Sequence, residues 1–178
     1  MSRFEQNHVV IMGVSGCGKS TVGAELSRLS RIPYLDGDDL HPLANVEKMR
    51  AGVALGDADR LPWLEACGRH LAGARYGLIL GCSALKSDYR DLIRKCAFPV
   101  QPVFVYLEGD KELLQARLHA RAGHYMPASL LDSQLATLEP PGPSERAITV
   151  NIARPAKELA EELFNQLGWR AQCVAQRR

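Results

Sequence analysis

Residues 13–20 read Gly13-Val14-Ser15-Gly16-Cys17-Gly18-Lys19-Ser20, a G-x-x-x-x-G-K-S spacing set between a short apolar run and a stretch of helical periodicity. No other segment restricts the possible folds so much. Glycines at both ends let a strand turn sharply into a helix with backbone N–H groups facing inward, where a Cβ would obstruct an anion. Such a loop cradles nucleotide phosphates along Gly13, Val14, Ser15, Gly16, Cys17 and Gly18 and into Ser20 and Thr21, with the positive end of the helix dipole aimed at the same charge. Lys19 is placed to reach the β- and γ-phosphates, and the Ser20 hydroxyl to ligate Mg²⁺. The expected nucleotide is ATP. A glycine-rich turn that binds nothing is the competing reading; Lys and Ser in register directly after a strand argue against it.

Around this loop, short β-rich apolar runs at 8–12, 32–36, 77–82, 102–108 and 147–152 alternate with helical patterns. The helical patterns cover 19–30, 42–51, 62–74, 85–95, 111–122, 128–138 and 156–167. Strands separated by helices imply right-handed crossovers and a parallel sheet covered on both faces, a three-layer α/β fold. Pro42 and Pro62 stand where a first helical turn tolerates proline, and Gly52, Gly123 and Gly168 where helices end. Three prolines and a glycine make 139–146 a loop. At 178 residues the chain is expected to be one domain, 1–178, since a second core would leave each half small. The basic tail from Trp169 to Arg178 reads as a surface-packed or frayed end.

The charge of +2 is the difference of 22 basic and 20 acidic residues, so no long-range field advertises a nucleic-acid or membrane partner. Any anion must be held locally. Five cysteines without a C-x-x-C pair suit reduced thiols better than a disulfide frame or a zinc site. With no run near the ~20 apolar residues a membrane span requires, the expected location is the cytoplasm. Cys17 stands at a helix N-terminus, so exposure would leave its thiol open to oxidation and burial would protect it.

Asp36-Gly37-Asp38-Asp39 falls at the C-terminal end of the second strand, the edge where open α/β sheets place ligands. We assign Asp36 to Mg²⁺ through its water shell and Asp38 to an attacking hydroxyl, which it orients and deprotonates; an Asp-rich turn capping the next helix is the alternative. His41, Asn45 and Lys48 follow at helical spacing as a polar stripe. Lys86 and Arg90 lie four apart in the opening turns of a helix, where a cation opposes the dipole and an anionic ligand would compensate it; surface charge is the other reading. Arg117 and Arg121 share one face of the helix before Gly123, and the segment 117–138 would serve as a lid. There Arg121 would neutralise charge on the transferring phosphoryl group, unless the two arginines are merely solvated.

Taken together these residues resemble the gluconate kinase family, itself similar to shikimate and adenylate kinases. The likeness rests on residues 12–20, Leu35-Asp36-Gly37-Asp38, Leu40-His41-Pro42, Asn45, Glu47-Lys48-Met49, Asp57, Asp59-Arg60 and Pro62-Trp63-Leu64. It continues through Cys82-Ser83-Ala84-Leu85-Lys86, Tyr89-Arg90-Asp91, Arg117, Arg121, Gly123-His124, Gln134 and Leu138-Glu139-Pro140. The resemblance implies a P-loop nucleoside-monophosphate-kinase-like fold with a five-stranded parallel sheet and a helical lid, in a cytoplasmic homodimer. It implies transfer of the γ-phosphoryl group of ATP to the 6-hydroxyl of D-gluconate, giving 6-phosphogluconate ahead of the pentose phosphate or Entner–Doudoroff route. Asp36, Asp38, His41, Lys48, Arg60, Lys86 and Arg90, within and beyond an acceptor region at 36–63, would then bind the sugar acid. Arg117 would stack on adenine, Arg121 contact phosphate, and the turn at Ala153-Arg154-Pro155 border the base.

Two rival readings remain at this level. One is a kinase for another small acceptor, such as shikimate or a nucleoside monophosphate. The other is a nucleotide-binding regulatory module without chemistry, which leaves the Asp pair and the lid arginines without a task.

Overall fold

The computed structural model describes residues 7–120 and 128–169. The central strand, β1 (His8–Met12), is buried on both sides: Val9, Val10, Ile11 and Met12 are wholly inaccessible. A strand without a solvent face needs a layer of helices above and below it. Alternation along the strand sorts its side chains. Val9 and Ile11 join one core with residues of α1 (Lys19–Ser30) and α7 (Ala156–Gln166), while Val10 and Met12 join the other with residues of α3 (Asp57–Gly73) and α4 (Ser87–Ala97).

The remaining strands are β2 (Tyr34–Asp36), β3 (Leu78–Gly81), β4 (Val103–Glu108) and β5 (Ala147–Asn151). All pair in parallel in the order β2-β3-β1-β4-β5, with Val10 opposite both Leu80 and Phe104. The chain leaves β1 toward one edge for β2 and later crosses to the other side of β1 for β4. That reversal opens a crevice beyond the carboxyl end of β1, where the phosphate loop begins. The other helices are α2 (Leu43–Arg50), α5 (Lys111–Ala120) and α6 (Ala128–Thr137).

The five strands and seven α-helices among the described residues are those expected from the sequence, with shifts at the ends. The largest is in α3, which begins at Asp57 rather than at Pro62. The Asp59 carboxylate accepts the Gly56 N–H at 3.0 Å, and Asp57 and Asp59 both place negative charge in the first turn, where the dipole favours it. These effects start the helix early. Pro62 is then accommodated inside it, forgoing the one hydrogen bond its nitrogen cannot donate. Gly52 and Gly168 end α2 and α7 with positive φ, as their positions suggested, whereas Gly123 lies outside the described residues. No helix among the described residues is long and apolar enough to cross a membrane.

Candidate active site

The loop after β1 owes its shape to glycine: Gly13, Gly16 and Gly18 have φ of 140°, 82° and 100°. Gly13 is needed for space as well, since a Cβ there would stand 2.9 Å from Cys17 Sγ and 3.1 Å from the Leu107 carbonyl oxygen. The Lys19 ammonium donates to the carbonyls of Gly13 at 3.0 Å and Val14 at 3.2 Å, so it lies folded along the loop. Ser15 N–H donates to Gln134 Oε1 of α6 at 2.7 Å, which ties the return helix of the expected lid to the loop. Cys17 is fully buried, so its thiol is shielded from oxidants. Arg117 donates to the carbonyls of Cys17 at 3.3 Å and Ile152 at 2.6 Å, bridging the loop and the turn at 153–155. Arg121 lies outside the described residues, as does the hinge at 123–127.

Beside the loop, β2 delivers the carboxylate pair. Ser20 Oγ donates to Asp36 Oδ2 at 3.0 Å, and Asp36 Oδ1 accepts the Asp38 N–H at 3.1 Å. Asp36 therefore caps the 3-10 turn at Gly37–Leu40 with one oxygen, as the capping reading expects, and faces the loop hydroxyl with the other. Tyr34 braces it: its hydroxyl donates to Asp36 Oδ2 at 3.4 Å, and its ring fills the space that a Cβ on Gly23 of α1 or Gly81 of β3 would invade. Burial pushes the Tyr34 phenol up to about 12. Although the Asp38 side chain is exposed, partial desolvation and then the neighbouring Asp36 charge raise it above the ordinary aspartate range, partly opposed by Lys19. Among the described residues no group of three or more His, Cys, Asp or Glu could hold a metal. Ser20 and Asp36 offer two hard oxygens, a set that fits Mg²⁺ taking its other ligands from phosphate and water.

The segment expected to bind the acceptor forms a platform next to this pair. Trp63, almost wholly buried on α3, donates its indole N–H to the Gly37 carbonyl at 2.6 Å. His41 stacks on it with ring centroids 4.2 Å apart and planes 14° from parallel. Lys48 pairs with Asp59 at 2.6 Å, and Lys86, the residue capping α4, pairs with Asp57 at 2.9 Å; Tyr89 also donates to Asp57. These contacts hold Asp57 and Asp59 below the usual carboxylate range, Asp57 chiefly through the Tyr89 hydroxyl and Asp59 chiefly through Lys48. Arg60 is different. It neighbours His41, Asp57 and Asp59, yet its guanidinium donates to no described residue.

A family model described as an AAA domain matches residues 9–141. The gluconokinase of Gluconobacter oxydans (strain 621H) is 47% identical over 88% of this chain and 88% of its own length. The thermosensitive gluconokinase of Escherichia coli (strain K12) is 44% identical over 86% of this chain and 83% of its own. The chain belongs to the gluconokinase family. The crystal structure of a gluconokinase from Sinorhizobium meliloti 1021 superimposes with a TM-score of 0.84 at 44% identity, covering 92% of each chain. Membership in the gluconokinase family makes the chain an ATP-dependent kinase, a transferase.

Of the residues carried over from the gluconokinase resemblance, Arg90 takes a different place from the one expected. It is completely buried, with a bidentate pair to Glu145 at 2.6 and 2.7 Å and further bonds to the carbonyls of Ala84, Leu85 and Glu139. The anion that compensates its charge is the protein's own Glu145, which the hydrogen bonds from Arg90 and then Arg94 pull down to about 2. Arg90 thus anchors the loop 139–146 to the start of α4. In the same turn it holds the carbonyl of Ala84, whose φ of 43° is strained for a residue with a Cβ. Lys86 likewise finds a protein carboxylate, Asp57, rather than a bare dipole. Sequence reading assigned no site role to Asp57, Tyr89, Trp63, Gln134 or Glu145. Each partner lies 26 to 119 residues away along the chain, beyond the reach of any local pattern.

Proposed function

We propose that this kinase transfers the γ-phosphoryl group of ATP to the 6-hydroxyl of D-gluconate, forming 6-phospho-D-gluconate and ADP. The observation that carries the reading is the double engagement of Asp36, which bonds the loop hydroxyl of Ser20 and the backbone of Asp38 at once. It sets the phosphate side and the acceptor carboxylate in fixed relation. Names carried by the relatives point to the same acceptor.

In this scheme the amides of the glycine loop bind the phosphate tail, and Lys19 exchanges two neutral carbonyls for charged phosphate oxygens, which are stronger acceptors. Ser20 directly and Asp36 through water would hold Mg²⁺, which supplies charge neutralisation and alignment of the phosphates. Asp38 orients the 6-hydroxyl in line and takes its proton as the O–P bond forms and the bond from phosphorus to the ADP oxygen breaks. Arg60, uncommitted among the described residues, takes the gluconate carboxylate, while His41, Lys48 and Lys86 face its hydroxyls. Arg117 borders the base, Arg121 meets the transferring group, and the segment 117–138 closes over both substrates to exclude water. The family resemblance also supports a homodimer in the cytoplasm, which sedimentation and fractionation would check.

The deciding experiment is ADP formation from ATP and Mg²⁺ against gluconate, other sugar acids, shikimate and nucleoside monophosphates. Turnover confined to gluconate, with the 6-phosphate ester identified by ³¹P NMR, is expected. Preference for any other acceptor would overturn the proposal.

A further inference from the structure

Asn45 and Arg90 are the two buried polar or charged residues of the described structure, and Asn45 sits on a short helix whose other residues are mostly open to solvent. A buried amide has to satisfy its hydrogen bonds. One edge of the Asn45 side chain lies 2.7 Å from the Asp59 carbonyl oxygen and 3.3 Å from His41 Nδ1. The carbonyl can only accept, so the edge facing it has to be the NH₂ group. The second N–H of that group then meets His41 Nδ1, which has to carry a lone pair. In a neutral imidazole the proton accordingly sits on Nε2, on the far side of the ring, where no described residue receives it.

The ring plane is fixed independently. Trp63 stacks on His41 and is itself held by its bond to the Gly37 carbonyl. The charged neighbours of the ring are Asp38 from the 3-10 turn and Arg60 from α3. Burial first, and Arg60 second, lower the His41 pKa against the pull of Asp38. A protonated ring would also turn an N–H toward the Asn45 N–H, so the same contact that selects the tautomer opposes the imidazolium.

We propose that Asn45 and Trp63 are positioning residues that hold His41 in its Nε2–H form, so that the ring presents a fixed hydrogen-bond donor to a hydroxyl oxygen of the acceptor. The donor role rests on the reading of 36–63 as the acceptor region; the tautomer does not. A donor of fixed direction beside the carboxylate of Asp38, an acceptor, would read the two sides of a polyol hydroxyl at neighbouring points. A deoxy analogue at the contacted carbon would leave the N–H unpaired and bind more weakly.

The tautomer is measured directly in the wild-type protein by long-range ¹H–¹⁵N correlation on histidine-labelled enzyme, with the His41 signals assigned from their loss in His41→Gln. The Nε2–H pattern at pH 7.5, with and without gluconate, is expected; an Nδ1–H pattern or an imidazolium would overturn the proposal. The functional half is read from three variants. His41→Gln can place an amide N–H near the Nε2 position, His41→Asn only near Nδ1, and His41→Phe keeps the stack on Trp63 without a donor. KM for gluconate should rise about threefold in the first and about tenfold in the others, with KM for ATP within about twofold of wild type. Equal losses in His41→Gln and His41→Phe would sink the donor role. Absence of gluconate turnover in an enzyme that shows the Nε2–H signal would instead strike the acceptor reading.

Discussion

The glycine loop and the platform proposed to bind the acceptor meet at Asp36, yet they are made of different material. In the loop the groups proposed to hold phosphate are mostly main-chain amides, and their placement follows from three positive-φ glycines within six residues. On the acceptor side they are side chains, held by partners from other segments: Lys48 by Asp59, Lys86 by Asp57 and Trp63 by Gly37. The first kind of site is specified locally and tolerates little change. The second is a set of pairings in which one member can be altered while the rest keep the platform in place.

The sharpest way to break this contrast is to remove the lysine side chain that lies folded along the loop. Lys19→Ala should lower kcat/KM about a thousandfold or more with the fold retained by circular dichroism, because in the proposed mechanism its charge acts on the transferring phosphoryl. A loss below tenfold would mean that the main chain suffices. Next comes the junction. Asp38→Asn should cost about a hundred- to a thousandfold in kcat while ATP affinity, measured by calorimetry, stays near wild type. Turnover near the wild-type rate would remove Asp38 from the acceptor role.

A smaller effect, on stability, is expected from the anchor behind the platform. Glu145→Gln leaves the buried Arg90 without its anion and should cost about 3 kcal/mol in urea unfolding. The sign of its pH dependence follows from the lowered carboxyl. With the ordinary value at 4.5 and the folded value at about 2, the stabilisation is complete above about pH 5 and disappears as pH falls toward 2. The variant and the wild type should therefore converge in stability on acidification. The mildest effects belong to two cations, one unpaired among the described residues and one paired: Arg60→Gln should raise KM for gluconate about tenfold, and Lys48→Met only a few fold, because Lys48 is already shared with Asp59. The reverse order would show that the ligand takes over an existing pair in preference to the uncommitted guanidinium.

These differences also account for what could be read from the sequence. The order of strands and helices was legible because both cores are built by alternation and helical periodicity, and α1 begins and ends where its pattern does. The loop was legible because spacing alone encodes it. Asp36 was legible by position, at the end of a strand next to that loop. Arg90 misled because a cation in the first turn of a helix signals a missing anion without saying whether a ligand or Glu145, 55 residues on, supplies it. Pro62 misled because proline marks a helix start only when nothing upstream starts it sooner, as Asp59 does by capping Gly56.

The Tyr34 ring has a bearing on how such a chain can be altered. Two absent methyl groups, one on a helix and one on a strand, leave the slot in which that phenol lies against Asp36. Alanine at position 23 or 81 would have to be accompanied by a slimmer residue at 34, and with it would go the brace on the carboxylate that faces Ser20. Three positions scattered over 59 residues are thereby bound to vary as a unit or not at all.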